Sequence, residues 1–273
     1  MLAEPEARLF QPARPTGGGV LVLAGSSGRV EAARAELLSR HGAVALAMRW
    51  FGGPGQQPGP FEVPVELFSQ AVDLLASECD HVALVGTSFG AEAALLAASR
   101  DQRIRATVAF APSSVVWGGV NEGRLTSHWT ADGEPLPYVP FVPDWESGQD
   151  PPSYLTLYTL SLATYGEAAR RAAIPVENIA GEVVLIAGGD DQVWPSVTFA
   201  ERIASRRREN GLETVVVTGE NAGHRAILPG EQAVPGGMRM LRGGSVEADC
   251  ELGHRAWPRI VTALGLREAH EPG

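Results

Sequence analysis

His81-Val82-Ala83-Leu84-Val85 runs into Gly86-Thr87-Ser88-Phe89-Gly90, and a helix-forming run over 91–99 follows. An apolar β-type run, a G-x-S-x-G turn and a helix in succession are the pattern of a nucleophile elbow. The sharp turn lifts Ser88 out of the backbone, and its glycines leave room for helix to pack tightly against strand. Five residues match often by chance. The context raises this match, because an Asp ends a later strand and a His follows the next one.

Outward from the elbow, β-rich runs alternate with helix-period segments. Strands are expected over 20–24, 43–48, 81–85, 104–110, 182–187 and 214–218, and helices over 30–40, 65–77, 91–99, 197–210 and 246–264. In the second helix Val65, Phe68, Val72 and Leu75 share one face. Such alternation predicts an α/β fold, a mainly parallel sheet with helices on both faces, whose ligands bind beyond the carboxyl ends of the strands. Ser88, Asp191 and His224 each fall just after a strand and so belong to one edge.

The stretch 112–175 breaks the rhythm. It is rich in Pro and Gly and holds Trp117, Trp129, Tyr138, Phe141, Trp145, Tyr154, Tyr158 and Tyr165. A structureless loop of that length is improbable. A partly helical lid over the active edge is expected, with 153–173 as its helical part; alternatively, the aromatics simply pack the excursion onto the domain.

The 273 residues, 44% hydrophobic, can bury a large core as one domain, taken as 1–273. Net charge is −10, and no basic stripe exists to neutralise phosphates, so no nucleic-acid partner is expected. All 22 basic residues are arginine, which excludes Schiff-base chemistry and Ser-Lys dyads. Arg206-Arg207-Arg208 is expected to be a solvated helix face. Cys79 and Cys250 are too few for a disulfide framework and lie in no metal or redox motif, so both read as structural thiols. No cofactor or metal is called for. The polar segment 1–14 is expected to be neither signal peptide nor anchor, and no apolar stretch approaches the ~20 residues of a membrane span. A soluble cytoplasmic protein without a membrane partner is expected.

A serine hydroxyl needs a neighbouring base to take its proton, and the base needs a carboxylate to fix its tautomer. In Gly188-Gly189-Asp190-Asp191-Gln192-Val193-Trp194-Pro195, Asp191 is the better acid, with Asp190 capping or facing solvent and the reversed assignment kept open. The chain order Ser, acid, His suits this architecture, and Gly223 permits the turn that aims His224 at the elbow. His41, His81, His254 and His270 carry weaker cases; His128 alone is held as a further substrate contact. An oxyanion needs donors. One is the N–H of Phe89; the other comes from Ala24-Gly25-Ser26-Ser27-Gly28, with Ser26 first and Ser27 second. That turn could also be a plain connector, and it lacks the glycine pattern and lysine of nucleotide sites. Ser27, Phe51, Trp129, Tyr138 and Trp194 are the candidate substrate-binding residues.

The chain also resembles a known family over about 19–264. Matching segments are Gly25-Ser26-Ser27-Gly28, Arg49-Trp50-Phe51-Gly52, Val63-Pro64-Val65-Glu66-Leu67-Phe68, Gly86-Thr87-Ser88 with Gly90-Ala91-Glu92, His128-Trp129, Pro135-Leu136-Pro137, Ile174-Pro175-Val176-Glu177-Asn178-Ile179, the run 190–196, and Ala222-Gly223-His224. Together they resemble the C-terminal domain shared by acyl-CoA thioesterases and bile acid-CoA:amino acid N-acyltransferase, an α/β-hydrolase family. The resemblance implies Ser88 as nucleophile, Asp191 as acid, His224 as base and thioesters as substrates. Ser rather than Cys as nucleophile implies the thioesterase side. Vertebrate relatives carry an N-terminal immunoglobulin-like domain, whereas about 18 residues precede the first strand here, so no such domain is expected. The family often has Lys or Arg directly after the nucleophile. Phe89 in that place, at net charge −10, weighs against free acyl-CoA, whose phosphates usually require cationic contacts.

The leading expectation is a serine hydrolase that cleaves an acyl thioester, acyl-CoA or carrier-bound, or an ester, through an acyl-Ser88 intermediate, with a mainly apolar acyl group. Acyl transfer, cyclisation or elimination in a biosynthetic pathway is the alternative on the same fold. A non-catalytic binding protein on a hydrolase scaffold is the third possibility.

Overall fold

The computed structural model describes residues 5–233 and 238–267. In chain order come β1 (Ala7–Phe10), β2 (Gly18–Leu23), α1 (Ala32–Arg40), β3 (Val44–Met48), β4 (Val63–Pro64), α2 (Glu66–Ala76), β5 (His81–Thr87), α3 (Phe89–Ala98) and β6 (Ile104–Phe110). The excursion contributes β7 (Gly118–Asn121), β8 (Arg124–Ser127), β9 (Trp129–Ala131), β10 (Glu134–Pro135), α4 (Leu155–Thr164) and α5 (Gly166–Arg171). The chain then returns through β11 (Glu182–Gly188), α6 (Ser196–Glu209), β12 (Val215–Gly219) and α7 (Val246–Ala263). His270 lies outside the described residues.

The central sheet has seven strands in the order β1-β3-β2-β5-β6-β11-β12, all parallel except β1, which pairs antiparallel with β3. Its five inner strands, β3, β2, β5, β6 and β11, are buried on both faces, and the period-2 alternation sorts their side chains. Val20 and Val22 face a layer built with α1 and α7; Leu21 and Leu23 face one built with α2, α3 and α6. Two helical layers over one sheet explain why the strands read as continuous apolar runs. The α/β architecture expected from the alternation is therefore present. No helix among the described residues is long and apolar enough to cross a membrane.

Helix α3 lies deepest. Its sequence is apolar nearly all round, as a helix enclosed on every side must be, and every residue from Gly90 to Ala98 is buried. The two elbow glycines let it come so close. A Cβ on Gly86 would sit 2.0 Å from the Gly90 carbonyl oxygen, and one on Gly90 2.4 Å from that of Leu23. No other residue fits between strand and helix.

The excursion is more structured than an aromatic-rich loop. Its expected helical part, 153–173, is α4 and α5, and β9 pairs parallel with β4, with Val63 opposite Trp129. Trp117 and Trp129 are fully buried, and Trp117 meets Tyr158 edge-on at 4.6 Å and stacks on Phe141 at 5.7 Å. These rings bind the excursion to the domain. The basic run 206–208 departs from its expected solvated character at Arg207. That side chain is 2% exposed and donates to the carbonyls of Val176, Ile179 and Gly181 at 2.9, 2.7 and 3.1 Å. It satisfies carbonyls that would otherwise be buried without partners, and burial pushes its pKa down.

Candidate active site

Ser88 sits between β5 and α3 with φ 59° and ψ −123°. A non-glycine residue at positive φ stores strain, and the surroundings must hold it there. Its N–H donates to the Phe110 carbonyl at 2.9 Å, and its carbonyl receives the first bonds of α3 from Ala91 and Glu92. The turn is thus fixed from both sides, with the hydroxyl at the carboxyl edge of the sheet.

Asp191 and His224 arrive from the turns after β11 and β12. Asp191 is 2% exposed, and its Oδ1 accepts the N–H groups of Val193 and Trp194 at 2.8 and 3.2 Å. Its Oδ2 accepts the Ser196 hydroxyl and faces Nδ1 of His224 at 2.7 Å. With Nδ1–H directed at a carboxylate, Nε2 is the nitrogen left to accept a proton. The His224 backbone is held by the Arg242 carbonyl at 2.9 Å, and Gly223 N–H by Asp249 at 2.7 Å. Burial first, and then the charge of Asp191, raise the pKa of Asp249. Asp190 instead faces solvent, accepting from Gln192 and from Gly244 N–H, both at 2.8 Å.

Ser88 and His224 line one cavity of about 50 Å³, with Gly25, Ser26, Ser27 and Val193 in its wall. Of the expected substrate contacts, Ser27 is in that wall. Trp194 is fully buried beside it, 5.7 Å from the His224 ring and 5.5 Å from that of Phe89. Phe51 packs against Trp50 in the core, Trp129 is enclosed beneath the excursion, and the Tyr138 hydroxyl donates to the Leu125 carbonyl at 3.3 Å. None of these three lines the cavity. Its cationic wall comes from elsewhere: Arg29, Arg225 and Arg242. Sequence reasoning named none of them, because they stand far apart in the chain.

Two further groups escaped the sequence reading. Glu92, four residues after Ser88, is wholly buried, and its Oε1 takes Trp129 Nε1 at 2.7 Å, Trp117 N–H at 3.1 Å and His128 Nδ1 at 3.2 Å. His128 is itself 1% exposed and meets the Phe89 ring at 4.2 Å. Its partners are Glu92 and Phe89, which places it behind the elbow and not in the wall of the Ser88 cavity. A lone Glu in an otherwise apolar helix was the available signal, since such a charge must find buried partners. Arg34 is the second group. It donates to Thr87 Oγ1 at 3.0 Å, to the Ala226 carbonyl at 3.2 Å and to both carboxylate oxygens of Glu231. It thereby ties the residue before Ser88 to the turn after His224. Among the described residues no three His, Cys, Asp or Glu gather as a metal site.

Residues 63–265 match the family described as BAAT / Acyl-CoA thioester hydrolase C terminal. The mouse acyl-coenzyme A amino acid N-acyltransferase 2 is 26% identical over 75% of this chain and 48% of its own. The human acyl-coenzyme A thioesterase 6 is 27% identical over 94% of this chain and 62% of its own. The chain thus spans about half to three-fifths of the length of these relatives. In fold it is similar to a puromycin-hydrolyzing peptidase of Mycobacterium tuberculosis, with a TM-score of 0.60 at 15% identity over 98% of this chain and 38% of that one. The elbow, the sheet and the family match agree, and the chain belongs to the BAAT / Acyl-CoA thioester hydrolase C-terminal family within the α/β-hydrolase superfamily.

Proposed function

We propose that the protein is a serine hydrolase cleaving an acyl thioester, on coenzyme A or a carrier-bound thiol, or an ester, through an acyl-Ser88 intermediate. The observation that carries the proposal is a single arrangement. Asp191 holds His224 at 2.7 Å, and His224 shares a cavity with a serine raised on a positive-φ turn. Asp191, His224 and Ser88 then act as a catalytic triad. The Ser88 oxygen attacks the carbonyl carbon as its proton passes to His224 Nε2. The N–H groups of Phe89 and Ser26 receive the oxyanion, where one lost donor costs roughly 3–4 kcal/mol. Collapse expels the thiol, which leaves with the proton from His224. Water then gives a proton to His224 and attacks the acyl-enzyme, which releases the acid and restores the serine.

Acyl transfer is the second reading, favoured by the similarity to an amino acid N-acyltransferase. It differs only in the second step, where an amine replaces water. Incubation with acyl-CoA thioesters and p-nitrophenyl esters, with and without amino acids, separates the two by product. Free acid in both cases supports hydrolysis, and an N-acyl amino acid supports transfer. Unchanged turnover in Ser88→Ala contradicts both.

A further inference from the structure

A second cavity, of about 330 Å³, lies between α4 and α5 of the excursion and α6 of the domain. It shares no lining residue with the cavity of Ser88. Its floor is apolar: Val115, Ile174, Val176 and Ile203 are buried, and the half-buried Leu162 joins them. Gly166, Ala169 and Ala173 add little side-chain bulk, and a Cβ on Gly166 would meet no packing neighbour within 4 Å. Small residues keep the space open. The rim is cationic. Arg170 comes from α5, Arg202 and Arg206 from α6, and no Asp or Glu lines the cavity. Arg206 is paired with Glu177 at 2.6 Å. Arg170 and Arg202 are exposed and make no hydrogen bond or ion pair among the described residues. In a chain of net charge −10, two unpaired arginines at one opening are a local excess of positive charge. A low-dielectric wall of one charge sign concentrates the opposite sign at its mouth. An apolar floor gains by covering an alkyl chain, and a guanidinium fork fits a pair of anionic oxygens.

We propose that this cavity binds a single alkyl chain ending in an anion, a carboxylate or a phosphate monoester. The chain lies on the floor and the head meets Arg170 and Arg202. The volume is near the lower end of ligand pockets, roughly 300–1,000 Å³, and so selects one chain of medium length over a two-chain lipid. The lining holds no His, Cys, Asp or Glu, so the site binds its ligand without reacting with it. Its walls belong to both the excursion and the domain, and a bound chain joins the two. None of this depends on Ser88 being a nucleophile.

The test is calorimetric titration of the wild-type protein with octanoate, octyl phosphate, octylammonium and octan-1-ol, each below its micelle-forming concentration. The four share one chain and differ in the head. One or both anions should bind at least about tenfold more tightly than octanol, the worth of a charge-assisted contact, and octylammonium no better than octanol. The tighter anion names the head. Arg170→Gln combined with Arg202→Gln should bring the anion-to-octanol ratio near one; both side chains are exposed and unpaired, so the fold does not depend on them. Gly166→Leu fills the cavity and should weaken anion and alcohol by a similar factor, with Ala169→Leu in its place if that variant does not fold. Saturating anion should raise the Tm of wild type and not that of the filled variant. Equal affinity for anion and alcohol overturns the inference, as does a preference that survives the double arginine variant or an affinity that the filled variant leaves unchanged. Acetate or inorganic phosphate binding as tightly as the octyl anions overturns it too, because the rim then reads the bare anion.

Discussion

Two buried carboxylate–histidine pairs flank Phe89, and they are built differently. Asp191 has both oxygens fully occupied, by two backbone N–H groups, a serine hydroxyl and His224. Its histidine opens onto the cavity of Ser88. Glu92 loads three donors on one oxygen and leaves Oε2 buried with no hydrogen-bond partner among the described residues. Its histidine is sealed behind the Phe89 ring. The same chemical pair can therefore aim a base or fasten one layer to another. What separates the two uses is whether the imidazole has a free edge, not how deeply the acid is buried.

The comparison breaks most sharply at Asp191. Asp191→Asn keeps the shape but directs a donor at Nδ1, and kcat should fall about 10⁴-fold with little change in Tm. A fall of tenfold or less would give Asp191 the structural role assigned to Glu92. Glu92→Ala should do the reverse. Removing one partner of a buried pair costs about 3–5 kcal/mol, so the urea midpoint should drop markedly, while the folded fraction loses far less activity than Asp191→Asn. A stable but inactive Glu92→Ala would move Glu92 into the chemistry.

The smallest effect concerns the brace between the elbow and the His224 turn. Burial opposes ionisation of Glu231, but Arg34 outweighs it and holds the carboxyl below its usual range. A depressed carboxylate stabilises the fold above its unfolded pKa and loses that contribution as pH falls through its folded value. The Tm advantage of wild type over Glu231→Gln should therefore be full at neutral pH and shrink below the ordinary glutamate range. A pH-independent difference would detach the brace from the Arg34–Glu231 charge pair.

The two pairs also mark where the sequence was legible. Strand alternation and the elbow motif carried the parallel sheet, because a strand buried on both faces is an unbroken apolar run. Strand β1 escaped, being four residues long, exposed and antiparallel at the edge, with no apolar run to announce it. Asp191, His224 and Ser88 were readable because each follows a strand, and topology places strand ends together. Arg29, Arg225 and Arg242 were not, since their meeting depends on how three loops close over the edge. Arg207 misled because a run of arginines looks solvated, and only the fold reveals the carbonyls one of them must satisfy.

Ser88 itself is tested most directly by trapping the intermediate. Wild-type protein mixed with an acyl thioester and quenched in acid should gain the mass of one acyl group, mapped to the peptide carrying Ser88 and missing in Ser88→Ala. An adduct on another residue, or undiminished turnover in Ser88→Ala, would contradict the account.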